Sequence, residues 1–185
     1  LISQSIKESF ENAINEQRDP NIILQERNLA KKQKEENLPE NIIKAQTENL
    51  LRQKKEAEIA KGLTVLIVED HLVNRKLLNT FLQKFGATVI EAENGNIAIE
   101  KVKQNPQIDY IFMDIQMPIK NGIDATKEIR QLNYKGIIIA CTANSDKNDF
   151  EIYKETGMND VLVKPFKSAM VKDLMEKWNT ALLLP

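Results

Sequence analysis

The chain has 185 residues, and its 26 basic and 27 acidic side chains balance to a formal net charge of −1. This length allows one domain of ordinary size with an appendage, and the charge balance argues against a nucleic-acid partner or an anionic membrane surface. A single cysteine, Cys141, excludes an intramolecular disulfide, and a single histidine, His71, excludes a multi-histidine metal site. Because no window resembles a membrane span or a signal peptide, we expect a cytoplasmic protein.

The first 61 residues differ in composition from the rest of the chain. All six glycines lie at or after Gly62, and Phe10 is the single aromatic residue before it. Apolar residues at helical spacing predict three helices, over residues 2–14, 20–37 and 39–61. A dimerisation arm, a linker helix without a partner and partial disorder all remain open. We assign residues 1–61 to a helical linker or dimerisation arm and residues 62–185 to the folded domain.

Apolar strands alternate with amphipathic helices through the rest of the chain. Five segments have the composition of buried strands, and they begin at Leu63, Ala87, Ile108, Gly136 and Asp160. A segment with apolar residues at three- and four-residue spacing follows each of them and predicts a helix. This alternation is typical of a parallel sheet with helices on both faces. The predicted fold class is α/β, a flavodoxin-like doubly wound (βα)5 domain with the usual strand order 2-1-3-4-5.

Polar residues of related chemistry stand where four of the predicted strands end. Glu69 and Asp70 follow the first strand, Asp114 the third, Thr142 the fourth and Lys164 the fifth. Ligands bind at the carboxyl ends of parallel strands, so these side chains are expected to converge at one edge. Three carboxylates together need a cation, and hard oxygen ligands favour Mg²⁺. With Mg²⁺ bound, Asp114 is a plausible nucleophile towards phosphorus, Lys164 would neutralise phosphoryl charge and Thr142 would donate a hydrogen bond.

This residue pattern resembles the response-regulator receiver domains of two-component signalling. The resemblance covers residues 63 to about 182, and the run from Glu69 to Arg75 is most similar to receivers of hybrid sensor kinases. The matching residues are the acidic pair Glu69-Asp70, Asp114 followed by Met117-Pro118 and Gly122, the pair Thr142-Ala143, and Lys164-Pro165-Phe166. The resemblance implies a phosphoacceptor domain of a phosphorelay, and the context it favours is a hybrid sensor histidine kinase.

The resemblance also implies which residues hold the phosphoryl group and the metal ion. Asp114 would accept the phosphoryl group from a phosphohistidine on a histidine kinase or a histidine phosphotransfer domain. Asp70 and Asp114 would bind Mg²⁺ directly, together with the backbone carbonyl of Gln116. Glu69 would act on the metal ion mainly through water.

Further roles implied by the resemblance concern the switch and the lifetime of the phosphorylated state. Thr142 and Lys164 would contact the phosphoryl oxygens, and Thr142 would move towards the phosphoryl group. The peptide bond before Pro165 is expected to be cis, a form found essentially only before proline. Gln116 and Asn144 stand where the family tunes the rate of dephosphorylation.

One position departs from the pattern of many receivers that have a DNA-binding output. Those receivers carry an aromatic switch residue three positions before the lysine, and here that residue is Val161. Val161 is either simple core or a real loss of aromatic coupling to Thr142. The departure favours a phosphorelay intermediate over a transcription factor.

Three alternatives are weighed against a hybrid-kinase receiver. A free-standing response regulator could form a homodimer through residues 1–61. An Mg²⁺-dependent aspartate-nucleophile phosphatase would need a second carboxylate two residues after Asp114, where this chain has Gln116. A flavin-binding domain would need a phosphate loop after the first strand, where Glu69 and Asp70 would repel the phosphate. The sequence therefore predicts no enzyme beyond self-phosphorylation from a phosphodonor and slow autodephosphorylation.

Overall fold

A computed structural model describes residues 24–31 and 39–182 of the chain. The first described segment, residues 24–31, is helical and is labelled α1, and helix α2 spans Glu40–Ala57. The predicted helix over residues 2–14 lies outside the described residues. The chain divides into two compact units, with the boundary between Gln53 and Lys54.

The second unit is built on five parallel strands that form one sheet in the order β2-β1-β3-β4-β5, so the predicted fold class and strand order are confirmed. The strands are β1 Thr64–Val68, β2 Thr88–Ala92, β3 Tyr110–Asp114, β4 Ile137–Thr142 and β5 Asp160–Val163. The helices of this unit are α3 Leu72–Lys84, α4 Gly95–Gln104, α5 Gly122–Gln131, α6 Lys147–Thr156 and α7 Ser168–Leu182.

The two faces of the sheet bury separate apolar clusters because successive side chains of a strand point to opposite faces. On β3, Tyr110 and Phe112 belong to one cluster and Ile111 and Met113 belong to the other. All five residues of β3 are buried, and the fifth is Asp114. The carboxylate of Asp114 therefore lies at the edge of the core, at the end of a central strand that is covered on both faces.

The strand register aligns the carboxyl ends of the central strands. Val68 pairs with Met113, and Asp114 pairs with Cys141, so the residues that follow β1 lie next to the end of β3. The backbone N–H of Lys164 donates to the carbonyl of Thr142 over 2.7 Å, which places the residue after β5 beside the end of β4. The polar residues of these four strand ends consequently share one edge of the sheet.

Residues just before β1 pack as part of the unit that contains the sheet. Ala60 is fully buried, and its backbone N–H donates to the carbonyl of Phe85 over 2.8 Å. The side chain of Asn179 on α7 donates to the carbonyl of Ile59 over 2.5 Å. Because buried backbone groups need hydrogen-bond partners, these contacts hold the entry to β1 against α3 and α7.

Within the described residues, no helix is long and apolar enough to cross a membrane.

Candidate functional site

Asp114 occupies the centre of the strand-end cluster. The residue is only 3% exposed. One carboxylate oxygen, Oδ1, accepts a hydrogen bond of 3.1 Å from the backbone N–H of Gln116, and the other, Oδ2, lies 2.7 Å from Nζ of Lys164. The carboxylate is therefore held in one orientation from both sides, as a preorganised nucleophile requires.

The loop after Asp114 must return close to the strand it has just left. The backbone N–H of Gly122 donates to the carbonyl of Ile115 over 3.1 Å. A Cβ atom on Gly122 would lie 2.1 Å from the carbonyl oxygen of Asp114. The side chain of residue 122 thus has no room beside the backbone of Asp114, which explains the glycine at the start of α5.

Glu69 is the second buried carboxylate of the site, with an exposure of 2%. Its Oε1 accepts from the backbone N–H of His71 over 3.3 Å and from the side-chain amide of Asn74 over 3.2 Å. Its Oε2 lies 2.7 Å from Nζ of Lys164. The neighbouring Asp70 is exposed to solvent. Lys164 therefore bridges two buried carboxylates while a third carboxylate faces water.

Arg75 holds the backbone of Glu69 and Asp70, which form the acidic loop after β1. Sequence analysis did not single it out as a site residue. Its guanidinium donates to the backbone carbonyl of Glu69 over 2.6 Å and to that of Asp70 over 3.3 Å. It also forms an ion pair of 3.3 Å with Glu91 on β2. Because Glu91 is remote in sequence and joins Arg75 only through the fold, no local pattern indicates this role.

The electrostatics of the site reflect an excess of negative charge. Burial, together with the charge of Glu69, raises the pKa of Asp114 to about 6 despite the hydrogen bond from Lys164. Burial by itself would lower the pKa of Lys164, but its hydrogen bonds to Asp114 and Glu69 raise that pKa above the ordinary value. One ammonium group does not offset three carboxylates, so the site favours an additional cation.

The donor set of the site fits Mg²⁺. One carboxylate oxygen from each of Glu69, Asp70 and Asp114 lies within 4.8 Å of the other two. Carboxylate oxygens are the hard ligands that Mg²⁺ prefers, and the exposed Asp70 leaves room for the water ligands that this ion usually retains. An uncompensated negative charge and an oxygen-only donor set together support a divalent cation here.

Thr142 ends β4 with its hydroxyl oxygen already occupied by two donors. Its Oγ1 accepts from the backbone N–H of Asn144 over 3.1 Å and from the hydroxyl of Tyr153 over 3.4 Å. The side-chain amide of Asn144 donates to Asp149 on α6. Tyr153 is a contact that sequence analysis missed, because it depends on the packing of α6 over β4.

The remaining predicted site residues have separate environments. The peptide bond between Lys164 and Pro165 is cis. Gln116 is exposed beside Asp114, and its backbone N–H bonds to that carboxylate. Val161 is half-buried and packs against a core cluster of the sheet. The structure thus brings Glu69, Asp70, Asp114 and Lys164 into one cluster, with Thr142 ending the next strand.

A doubly wound parallel sheet with an acidic cluster and a lysine at its edge is the architecture of a phosphoryl-accepting signalling module. Residues 65–176 match the family described as the response regulator receiver domain. The match spans more than half of the chain, so the chain belongs to this family and is a receiver domain of two-component phosphorelay signalling. The resemblance stated from the sequence is thereby confirmed.

Relatives with curated functions include receivers of hybrid kinases. The autoinducer 2 sensor kinase/phosphatase LuxQ of Vibrio vulnificus is 39% identical over 121 residues, which are 65% of this chain and 14% of LuxQ. Hybrid signal transduction histidine kinase A of Dictyostelium discoideum is 36% identical over 118 residues, 61% of this chain and 6% of that kinase. The chain therefore spans only a small part of these relatives.

Solved structures show the same fold. The receiver domain of a sensor histidine kinase from Pseudomonas aeruginosa, with a magnesium ion coordinated in its active-site cleft, is 35% identical with a TM-score of 0.59, covering 63% of this chain and 97% of that chain. The co-crystal structure of the Saccharomyces cerevisiae phosphotransfer protein Ypd1 with the Ssk1 receiver domain matches at 31% identity and a TM-score of 0.62, covering 68% of this chain and 93% of that chain.

Proposed function

We propose that Asp114 accepts a phosphoryl group from a phosphohistidine on a partner protein. A carboxylate oxygen of Asp114 forms the new O–P bond while the N–P bond of the phosphohistidine breaks and its electron pair returns to the imidazole nitrogen. The single observation that carries this assignment is the buried Asp114 carboxylate, fixed between Lys164 and the N–H of Gln116 at the end of the central strand.

Positive charge around the acceptor supports the transfer. Asp70 and Asp114 would hold Mg²⁺ together with the backbone carbonyl of Gln116, and Glu69 would act through water. When bound, the ion supplies positive charge that offsets the charge on the phosphoryl oxygens. Lys164 already lies 2.7 Å from Asp114 Oδ2, so its ammonium group is positioned to contact a phosphoryl oxygen.

The partner in this proposal is a histidine kinase or a histidine phosphotransfer domain. The first two residues of α3, Leu72 and Val73, are 57% and 67% exposed, and they directly follow the acidic loop of the site. Exposed apolar side chains beside a reaction site are typical of a surface that binds another protein. Relatives such as LuxQ and hybrid kinase A support a hybrid sensor kinase as the source of the domain.

Two exposed side chains near the acceptor are proposed to set how long the phosphoryl group remains. Gln116 and Asn144 are both solvent-exposed. Neither carries a carboxylate that could activate water as a general base. We therefore propose slow autodephosphorylation rather than the rapid turnover of a phosphatase.

The helical arm supports the alternative of a free-standing regulator. Helix α2 exposes Ile42, Leu50 and Leu51, and we propose that these residues pair with a second copy of the chain or continue a linker. Removal of residues 1–53, up to the boundary between the compact units, should convert a dimer into a monomer in sedimentation. An unchanged mass would end the dimerisation proposal without affecting the receiver assignment.

Phosphorylation from a small phosphodonor tests the assignment of Asp114. The full chain, incubated with acetyl phosphate and Mg²⁺, should gain the mass of one phosphate, and Asp114→Asn should prevent the gain. Asp173→Asn is the matched control, because Asp173 is an exposed carboxylate on α7. Equal labelling of the Asp114→Asn variant would refute the assignment. Repeated turnover of a phosphomonoester by the unmodified chain would instead support the phosphatase.

A further inference from the structure

The hydroxyl of Tyr153 joins helix α6 to the phosphoacceptor edge of the sheet. Tyr153 is 5% exposed, and its hydroxyl donates to Oγ1 of Thr142 over 3.4 Å, with both groups buried. Thr142 is the last residue of β4 and Tyr153 lies in the middle of α6. A single buried hydrogen bond therefore connects the end of a central strand to a helix on the surface of the domain.

Two residues on the neighbouring strands belong to, or pack against, the apolar cluster that contains Tyr153. Val161 on β5 pairs with Ala140 on β4. Ala140 belongs to the same apolar cluster as Tyr153, and Val161 packs against that cluster. The ring of Phe150 packs near the Tyr153 ring, with centroids 6.4 Å apart. The aromatic group absent from position 161 is thus present in the same region, but it comes from α6.

We propose that Tyr153 is a positioning residue that couples the place of the Thr142 hydroxyl to the conformation of α6. This inference rests on the proposed phosphorylation of Asp114. When Thr142 turns its hydroxyl towards a phosphoryl oxygen, the hydroxyl of Tyr153 loses its acceptor. An unpaired buried hydroxyl is unfavourable, so the Tyr153 ring moves and α6 adjusts with it. The exposed Ile152 beside it on α6 would carry this change to the surface.

The direction of the expected effect follows from the hydrogen bond between Tyr153 and Thr142 in the structure. Tyr153 stabilises Thr142 in its present position, so loss of the tyrosine hydroxyl should favour the position that binds a phosphoryl group. From the usual net contribution of one intramolecular hydrogen bond, we expect Tyr153→Phe to tighten binding of the phosphoryl analogue beryllofluoride roughly two- to fivefold.

Fluorine NMR can follow the three tyrosines of the chain separately. The full chain has three tyrosines, so 3-fluorotyrosine labelling gives three resonances that single Tyr→Phe variants assign. The hydroxyl of Tyr110 bonds to Asn179 over 2.7 Å, away from Thr142. Saturation with beryllofluoride and Mg²⁺ should shift the Tyr153 resonance well beyond those of Tyr110 and Tyr134. Replacement of Thr142 by valine should abolish that shift.

A double-mutant cycle separates coupling from a merely structural role. Tyr153→Phe should tighten beryllofluoride binding in the natural background and should have no effect when Thr142→Val is also present. Tyr134→Phe is the matched control, because the buried hydroxyl of Tyr134 has no hydrogen-bond partner, and it should leave the affinity unchanged.

The bound beryllofluoride has its own fluorine resonance, and this distinguishes the two possible failures. If that resonance never appears, both the phosphoacceptor assignment and the coupling are overturned. If it appears while the Tyr153 resonance stays in place, the coupling alone is overturned. An equal effect of Tyr153→Phe with and without the Thr142 hydroxyl would overturn the coupling as well.

Discussion

Replacement of Asp114 by asparagine should stabilise the fold at neutral pH when Mg²⁺ is absent. Burial, with the nearby charge of Glu69, raises the pKa of Asp114 to about 6, whereas an aspartate in an unfolded chain has a pKa of about 3.9. The folded state therefore binds the proton more tightly than the unfolded state does. Between about pH 4 and pH 6 the stability falls as the pH rises, and the penalty is fully present above the folded pKa.

The size of the effect follows from the difference between the two pKa values. About two pH units correspond to roughly 3 kcal/mol at neutral pH. Asparagine has the shape of a neutral aspartic acid, and its oxygen can still accept from the N–H of Gln116. Lys164 keeps its ion pair with Glu69. We expect the Asp114→Asn variant to be more stable by about 1–3 kcal/mol.

Urea denaturation measured at two pH values tests this reasoning. The stability gap should be largest near pH 7.5 and should shrink to about 0.5 kcal/mol near pH 4, where the natural aspartate is protonated in the folded state and about half protonated in the unfolded chain. Added Mg²⁺ should stabilise the natural protein and narrow the gap, because a ligand that binds only the folded state raises its stability. Asp173→Asn, on the exposed surface of α7, should change the stability by less than about 0.5 kcal/mol. An Asp114→Asn variant no more stable than the natural protein at pH 7.5 would refute the argument.

Two further predictions concern the packing of the sheet-containing unit. Gly86 has a φ of +91° and an added Cβ would lie 2.2 Å from the carbonyl oxygen of Ala57, so Gly86→Ala should lower the stability in urea by at least about 2 kcal/mol. Gly62→Ala is its control, because Gly62 also has a positive φ of +80° but has nothing within 4 Å of an added Cβ; equal losses would contradict the clash. The buried thiol of Cys141, whose pKa is raised well above its ordinary value, should react with a thiol reagent only after unfolding; fast labelling of the native protein would contradict its burial.

Much of the fold could be predicted from the sequence because its signals are local. Buried strands such as β3 are continuous apolar runs, and the helices between them carry apolar residues at three- and four-residue spacing. The sequence predicts that the third strand begins at Ile108 and ends before Asp114. It begins at Tyr110, and Asp114 is its last residue. Thr142 likewise is the last residue of β4 rather than the residue after it. Such small errors at the ends of elements do not alter which residues reach the edge.

The features that sequence analysis missed depend on contacts between distant parts of the chain. Ala60 lies in a segment whose composition resembles an exposed arm, yet it is fully buried. The bond between Tyr153 and Thr142 and the ion pair between Arg75 and Glu91 each join separate elements. A periodic pattern records which face of a helix is buried but not which polar atom its side chains will meet. The role of residues 1–61 stays a prediction.

The geometry of Lys164 leads us to expect that metal binding and phosphorylation are interdependent. Its ammonium group forms ion pairs with Glu69 and Asp114 at once, each over 2.7 Å. A phosphoryl group on Asp114 would draw the ammonium towards its own oxygens and leave the buried Glu69 without its cation. A buried carboxylate that loses its partner is strongly unfavourable, so a divalent cation near Glu69 and Asp70 would have to replace the lost charge. Phosphorylation should therefore require the cation for two reasons. The cation neutralises the incoming phosphoryl group, and it replaces Lys164 as the partner of Glu69 so that the ammonium group can move.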